Sequence, residues 1–539
     1  MSIHKLFDAL ALRATQTPDA ATLVGDRETW SAAAVLAATD ELVERLATAS
    51  CLAVLADNSP AWVITDLAAL RAQVPHVPLP PFFSPAQLAH VLDQAGVDAV
   101  LTDQPERIGA LDAGFSITGE WHGLTWLRRP LASASEARET APSSTVLPVT
   151  RLPAGTAKIS FTSGSTGNPK GACLSADGLI DTAAAITLRL VDLPIKRHLV
   201  TLPLALLLEN SAGIYAPLLR GAEIHLPGLS TLGWRGMAGF DPAALQNIVS
   251  NHRPSSMILV PELLKAWTLL LAATGQKAPD SLVYVAVGGA RVDAEAIARA
   301  RALRLPAYQG YGLTECGSVV SLNRPGDDGD HVGRPLDHVH LSIVDEEIAI
   351  TTRAFLGYIG VDQETENTGE AGKASRAGFA TGDLGHLDGE GHLHLSGRRK
   401  NLLITSYGRN IAPEWVEASL LAQPAILQAV VSGDARPWLS AVLVAAPGAD
   451  ASALAAAVAI TNAGLPDYAR IGHWLTADAP FSLANGLATG NGRPRRQAIL
   501  ARYAEALAVR YLDSSESSDS TEKSVPEHCL TKENENAVL

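Results

Sequence analysis

An α/β fold is what this sequence predicts: a large N-terminal domain of parallel-rich sheets flanked by helices, then a small α+β C-terminal domain. Three observations lead there. Short β-like runs alternate with helical segments through the first half of the chain, the pattern of strands joined by crossover helices. The chain changes character around Lys400. Finally, 539 residues at 47% apolar and 18% charged suit two or three soluble domains with ample core.

Taken in order, residues 4–15 and 31–48 place apolar side chains at helical spacing and are rich in alanine. Leu52-Ala53-Val54-Leu55 reads as a short buried strand, ending at Asp57-Asn58-Ser59-Pro60, a helix-start signature before Trp62. Val74 to Leu79 carries Pro75 and Pro78, so an extended or edge segment is the most it predicts. Ser84 caps a helix running to Ala95 with Pro85 at its first position, and Val97 to Leu101 is a further strand. Residues 130–150, rich in Ala, Ser, Pro and Thr, read as a connection. Arg197 to Pro203 reads as a strand and Ala212 to Leu219 as an apolar helix ending at Gly221. Met257 to Val260 and Leu282 to Val287 are short β-like runs. The second closes on Gly288-Gly289-Ala290, which suits either a plain turn or a ligand lying against backbone at a strand's carboxyl end. Leu402 to Thr405 is a strand, and Gly408 to Glu414 a turn that opens a helix through Leu421. Residues 513–539 are dense in Ser, Glu, Asp and Lys; such a tail cannot offset its ordering entropy and is expected to be disordered. The expected domains are therefore 1–396, 397–512 and the tail 513–539.

Composition excludes several classes. A net charge of −14 and a pI near 5.5 oppose nucleic-acid binding, which needs a basic footprint, and a polybasic membrane anchor. No uncharged apolar run approaches the roughly 18 residues of a transmembrane helix. The longest, Leu199 to Leu208, contains Pro203 and stops at Glu209. The N-terminus has Asp8 where a signal peptide would run apolar. Cys51, Cys173, Cys316 and Cys529 are scattered, without a Cys-x-x-Cys pair or zinc spacing. A cytoplasmic protein with inert thiols and no integral membrane association is expected.

Function turns on Ile159-Ser160-Phe161-Thr162-Ser163-Gly164-Ser165-Thr166-Gly167-Asn168-Pro169-Lys170-Gly171. An alternating strand opens into glycines, hydroxyls and one lysine. Glycines let backbone N–H groups approach an anion, Thr162, Ser163, Ser165 and Thr166 add hydroxyl donors, and Lys170 supplies a point charge. Asn168 and Pro169 part the lysine from the glycines, which excludes a Walker A loop. A polar surface loop fits this local chemistry equally well. Downstream, Tyr308-Gln309-Gly310-Tyr311-Gly312-Leu313-Thr314-Glu315 sets aromatic rings beside glycines, suiting a flat base, and Thr314 with Glu315 offers oxygen ligands for Mg2+. Ala380-Thr381-Gly382-Asp383-Leu384-Gly385 supplies a carboxylate able to accept two hydroxyl donors, and Gly397-Arg398-Arg399-Lys400-Asn401 follows.

The stretch Ser163 to Gly171 resembles the phosphate-binding motif of the adenylate-forming (AMP-binding) superfamily: acyl-CoA synthetases, adenylation domains of peptide synthetases, and luciferases. The later motifs resemble that family's Tyr-Gly-x-Thr-Glu, Thr-Gly-Asp and Gly-Arg-x-Lys elements in the same order, and the likeness spans roughly residues 5–510. The resemblance implies ATP, Mg2+ and CoA. It puts Thr162, Ser163, Gly164, Ser165, Thr166, Gly167 and Lys170 on phosphates, and Gly289, Ala290, Gln309, Gly310, Tyr311, Gly312 and Thr314 around the nucleotide. It puts Thr162 and Glu315 on the metal and Asp383 and Arg398 on the ribose. Lys400 becomes the hinge of a mobile small domain. Leu202-Pro203-Leu204 and Leu208-Glu209-Asn210 resemble the acyl-pocket region of long-chain fatty acyl-CoA synthetases.

One position departs from the family. Within Asn485 to Arg496, Arg493 stands where a lysine contacts the carboxylate and α-phosphate; arginine keeps the charge but is bulkier and directional. Thr162, Glu315 and Arg493 are thus the expected catalytic residues. The implied reaction activates a small carboxylic acid, a fatty acid by resemblance, to acyl-AMP with release of pyrophosphate, and passes the acyl group to CoA. Two other acceptors stay open: an acyl carrier protein, or an intramolecular hydroxyl giving a β-lactone. A catalytically degenerate adenylate-binding sensor is the alternative of another class, and Arg493 is the feature that favours it.

Overall fold

A computed structural model of the chain describes residues 2–130, 152–162, 169–236, 239–360, 378–407, 409–489 and 492–509, with the backbone alone at Thr162. The glycine-hydroxyl stretch 163–168 and the tail expected to be disordered lie outside the described residues.

Two large sheets form the N-terminal part. The nine-stranded sheet runs Thr29–Ser31, Ala21–Gly25, Glu223–Leu226, Arg197–Leu199, Ser256–Leu259, Tyr284–Val287, Ala307–Tyr311, Ser321–Leu322, Arg334–Pro335. Its pairings from Ala21–Gly25 to Ala307–Tyr311 are parallel. Parallel strands require crossovers, and helices such as Pro242–His252, Pro261–Thr274 and Ala294–Ala302 supply them. The eight-stranded sheet centres on the parallel strands Thr156–Thr162, His76–Pro78, Leu52–Leu55 and Ala99–Thr102. Helix Pro60–Ala72 is buried from Pro60 to Leu70, apolar on every side except at Thr65 and Asp66. Such a helix lies wholly in the core.

Several elements match their sequence signals closely. Ser59 accepts from the Trp62 N–H at the start of that helix. Ser84 and Gln87 form a capping box ahead of Pro85–Gln94, which satisfies two otherwise orphaned N–H groups. Gly221 takes the left-handed conformation (φ 73°) at a helix end, where a Cβ would be strained.

Two readings are corrected. His76–Pro78 is an interior strand, not an edge: it pairs with Leu52–Leu55 on one side and with Lys158 on the other. Only one residue pair joins it to the latter, so the missing N–H of Pro78 removes little from the ladder. The helix expected over Ala212 to Leu219 is instead a π-helical turn, Glu209–Tyr215, followed by the short helix Ala216–Arg220. No sequence signal announced the four-stranded antiparallel sheet His340–Val344, Glu347–Thr351, Phe379–Leu387, Leu393–Arg398.

Beyond the turn Arg399–Asn401, a three-stranded sheet of Ile426–Ser432, Leu439–Ala445 and Ile471–Thr476 packs with helices Pro413–Leu421, Ala451–Ala463 and Arg496–Arg502. The turn lies just beyond the boundary expected between residues 396 and 397. Among the described residues no helix is long and apolar enough to cross a membrane. Cys51, Cys173 and Cys316 are buried free thiols.

Candidate active site

The strand Thr156–Thr162 delivers the phosphate-loop stretch, and Lys170–Ser175 returns antiparallel beside it, with Thr162 directly opposite Lys170. The two ends of the loop are therefore pinned together at the sheet. At Gly171 a Cβ would lie 2.8 Å from the Ile359 side chain and 2.9 Å from the Phe161 ring, so a larger residue would have to displace both. Strand Phe355–Tyr358 extends the sheet beyond Lys170–Ser175, with Tyr358 opposite Ala172.

Tyr358 is a site residue that the sequence did not announce. Its hydroxyl donates to Glu315 Oε1 at 2.5 Å and so ties the turn Thr314–Cys316 to the phosphate-loop strands. One Glu315 oxygen is thereby oriented, and a carboxylate so held is the kind of oxygen donor that would suit a divalent ion.

On the nine-stranded sheet, strands Tyr284–Val287 and Ala307–Tyr311 run parallel and end at Gly288-Gly289 and Gly312. Gln309 is buried within the second of them. A Cβ on Gly312 would sit 1.8 Å from the Ser318 carbonyl oxygen, so only glycine lets the chain pass. At Gly288 the space is open, with Leu208 3.7 Å and the Gly310 carbonyl 3.8 Å from where a Cβ would be. This is a bare backbone floor at the carboxyl ends of parallel strands, where α/β sheets bind ligands.

Asp383 gathers the next group. Strand register places it opposite Arg398. Arg398 Nε donates to Asp383 Oδ1 at 2.8 Å, and the Tyr311 hydroxyl donates to Oδ2 at 2.7 Å. Burial and the adjacent carboxylate push the Tyr311 phenol far above its usual range, so it remains a donor at neutral pH. A carboxylate has about four lone-pair positions, so Asp383 can still accept from two ligand hydroxyls.

Arg493 reaches this floor from the small domain: its Nη2 donates to the Gly289 carbonyl. Its turn is closed by Thr489 N–H to Arg493 O at 2.8 Å and by Arg493 N–H to Thr489 Oγ1 at 3.1 Å. The two neighbouring arginines point elsewhere. Arg496 donates to Val431 O and to Glu417 Oε2, each at 2.7 Å, and Arg495 to the Gly486 carbonyl at 3.4 Å. Lys400 is exposed on the turn Arg399–Asn401.

Leu208 borders the floor, but Glu209 and Asn210 turn inward. Glu209 is fully buried and accepts from the Leu202 N–H at 3.1 Å, with His198 Nε2 at 3.3 Å. Asn210 joins a second buried network beneath the phosphate-loop strand. There Lys158 Nζ lies 2.8 Å from Asp66 Oδ1, and His76 Nδ1 2.6 Å from the same oxygen. Asn210 Nδ2 and the Tyr215 hydroxyl donate to Asp66 Oδ2 at 2.8 and 2.5 Å. Lys158 also donates to Asn210 Oδ1 and to the Tyr215 hydroxyl. Although burial opposes its ionisation, the Lys158 ammonium and His76 hold the Asp66 carboxyl far below the usual range. Burial pulls the Lys158 and His76 pKa values down. The Glu209 and Asn210 side chains sit at the start of the π-helical turn Glu209–Tyr215, a rare winding that occurs mostly as a single turn.

Comparison with known proteins places this arrangement in a family. A model described as AMP-binding enzyme matches residues 10–353, and one described as AMP-binding enzyme C-terminal domain matches residues 400–515. A 2-succinylbenzoate–CoA ligase of Bacillus velezensis is 31% identical over 304 residues, covering 52% of this chain and 56% of the relative. A long-chain-fatty-acid–CoA ligase of Mycobacterium bovis is 29% identical over 336 residues, covering 54% and 55%. The matches thus span little more than half the length of these curated relatives. Among solved structures, the Bacillus subtilis o-succinylbenzoate CoA synthetase with AMP has a TM-score of 0.69 at 23% identity, covering 91% of this chain and 97% of that one. An anthranilate CoA ligase with anthranoyl-AMP has a TM-score of 0.73 at 17% identity, covering 94% and 98%. At those identities the structural likeness establishes the fold, whereas the sequence match over residues 10–353 establishes the kinship. The chain belongs to the AMP-binding enzymes, the adenylate-forming superfamily its motifs resemble.

Proposed function

We propose that this protein activates a carboxylic acid with an apolar body, using ATP and Mg2+, and transfers the acyl group to CoA. An oxygen of the acid's carboxylate attacks the α-phosphorus as the bond to pyrophosphate breaks. The thiol sulfur of CoA then attacks the acyl carbon, AMP leaves with the bonding pair, and the thiol gives up its proton. The observation that carries this reading is that Tyr311 and Arg398 hold Asp383 while Arg493 meets the Gly289 carbonyl at the glycine-lined strand ends.

The proposed roles follow from the chemistry of each group. Asp383 accepts from the ribose hydroxyls while Tyr311 and Arg398 hold it in place. Glu315, oriented by Tyr358, and Thr162 ligate the Mg2+ that neutralises phosphate charge; residues 163–168 and Lys170 bind the phosphates. Gln309, Gly310, Gly312, Thr314 and Ala290 frame the nucleotide. Arg493 cannot be a general base at neutral pH, so its part is to draw carboxylate and α-phosphate together. Lys400 is the proposed hinge, and Leu208 borders the acyl group, with Glu209 and Asn210 shaping the turn behind it. A fatty acid suits that apolar border, and so do the aryl acids named for several relatives.

The test is pyrophosphate release over a panel of short to long fatty acids and aryl acids, with and without CoA. Release that requires both acid and Mg2+, with acyl-CoA formed when CoA is present, is the expected result; no release with any acid would refute the reading. Arg493→Ala should lose roughly a hundredfold or more in the first step, since a contact made mainly in the transition state is removed. Supplied with preformed acyl-AMP and CoA, the same variant should form thioester at close to the unmodified rate.

A further inference from the structure

Helix Pro413–Leu421 of the small domain ends against two helices of the large one, Pro261–Thr274 and Ala294–Ala302. Lys265 Nζ donates to the carbonyls of Leu421 at 2.6 Å, Gln423 at 2.8 Å and Ile426 at 2.5 Å. An ammonium has three donors, and here all three are used. Arg299 Nη2 donates to the carbonyl between, that of Ala422, at 2.6 Å. A helix leaves its last carbonyls without intrahelical partners and gathers partial negative charge there, so two cations at that end are matched in hydrogen bonding and in sign. One turn earlier the Ser419 hydroxyl donates to Asp293 Oδ2 at 3.0 Å. Burial and the nearby Arg299 push the Lys265 ammonium down to about 8.

The same helix is linked to Arg493. Glu417, in its middle, accepts from the Val431 N–H and from Arg496 Nη2, each at 2.7 Å. Arg496 opens the helix that follows the Arg493 turn. A continuous line of contacts therefore runs from Lys265 through the helix end, Glu417 and Arg496 to the turn whose arginine meets the Gly289 carbonyl.

We propose that Lys265, with Arg299, is a positioning residue for acyl-adenylate formation: by gripping the carboxyl end of helix Pro413–Leu421 it fixes where Arg493 enters the cleft. This rests on the acid-activation reading above. The grip acts through Arg493 and makes no contact of its own with the reacting groups.

The experiment is a double-mutant cycle on single-turnover pyrophosphate release, with hydrogen exchange beside it. Lys265→Met should slow the first step about tenfold or more with melting temperature nearly unchanged, and Lys265→Arg should recover much of the rate. Combined with Arg493→Ala, Lys265→Met should add little to the loss that Arg493→Ala causes alone, because coupled residues are not additive. Losses that multiply, or an unaltered rate in Lys265→Met, would overturn the proposal. If Lys265→Met does not fold, Arg299→Gln is read in the same way. Hydrogen exchange separates this idea from the functional reading: in Lys265→Met, amides of both 421–426 and 489–496 should exchange faster, whether or not any acid is turned over. Faster exchange confined to 421–426 would break the proposed link to Arg493.

Discussion

Two ion pairs, one beneath the phosphate-loop strand and one at the cleft, use the same chemistry for opposite ends. Lys158 and Asp66 are 0% and 1% exposed, and both Asp66 oxygens are taken up by Lys158, His76, Asn210 and Tyr215. Asp383 is also nearly buried, at 9%, but its partner Arg398 is 57% exposed and its carboxylate keeps room for further donors. The difference is between a saturated charge and an unsaturated one. A buried carboxylate with every lone pair engaged can only hold structure together. A carboxylate held by two donors at the edge of a cleft is oriented and still able to bind.

The largest break in that comparison comes from Lys158→Met. It leaves the Asp66 charge buried without its cation, and removing one partner of a buried pair costs about 3–5 kcal/mol of stability. Denaturant unfolding should show that loss, and Lys158→Met combined with Asp66→Asn should restore a large part of it. A loss under about 1 kcal/mol, the scale of an exposed pair, would mean the two networks are not different in kind. Asp383→Ala should behave in reverse, losing on the order of tenfold or more in pyrophosphate release as the ribose clamp goes. Its melting temperature should hardly move; a drop of many degrees, with full activity in the folded fraction, would recast Asp383 as scaffold. Tyr358→Phe sharpens the comparison at its smallest end. It removes one hydrogen bond from Glu315, worth about 0.5–1.5 kcal/mol, so the Mg2+ concentration for half-maximal rate should rise a few-fold. An unchanged Mg2+ dependence would separate Tyr358 from the metal.

What the sequence disclosed follows from the same distinction. Asp383, Glu315, Gly289 and Gly312 could be singled out because their motifs follow the order of the family they resemble; taken alone, the Gly288-Gly289 pair reads equally as a turn. The Asp66 network could not be, since its members are drawn together from positions up to 149 residues apart and each alone reads as an ordinary helix or strand residue. Tyr358 was hidden likewise, 43 residues from the carboxylate it orients. His76–Pro78 misled because proline usually marks an edge, while here the strand on one side pairs with it at a single residue, so a missing N–H is tolerated. The hairpin joining His340–Val344 to Glu347–Thr351 turns on Asp345 and Glu346, both at positive φ, where glycine or asparagine would have signalled the turn.

Cys316 follows Glu315 directly in the chain, so a sulfur lies beside the place proposed for making an activated acyl group. Burial, with the Glu315 and Asp383 carboxylates nearby, drives its thiol far above the normal range, and Cys173 is pushed up to about 11 by burial. Thiolates, not thiols, attack acyl carbon. Burial, with the Glu315 and Asp383 charges beside it, thus keeps Cys316 protonated and a poor nucleophile. Under the proposed reaction, the activated acyl group is then left for the sulfur of the second substrate.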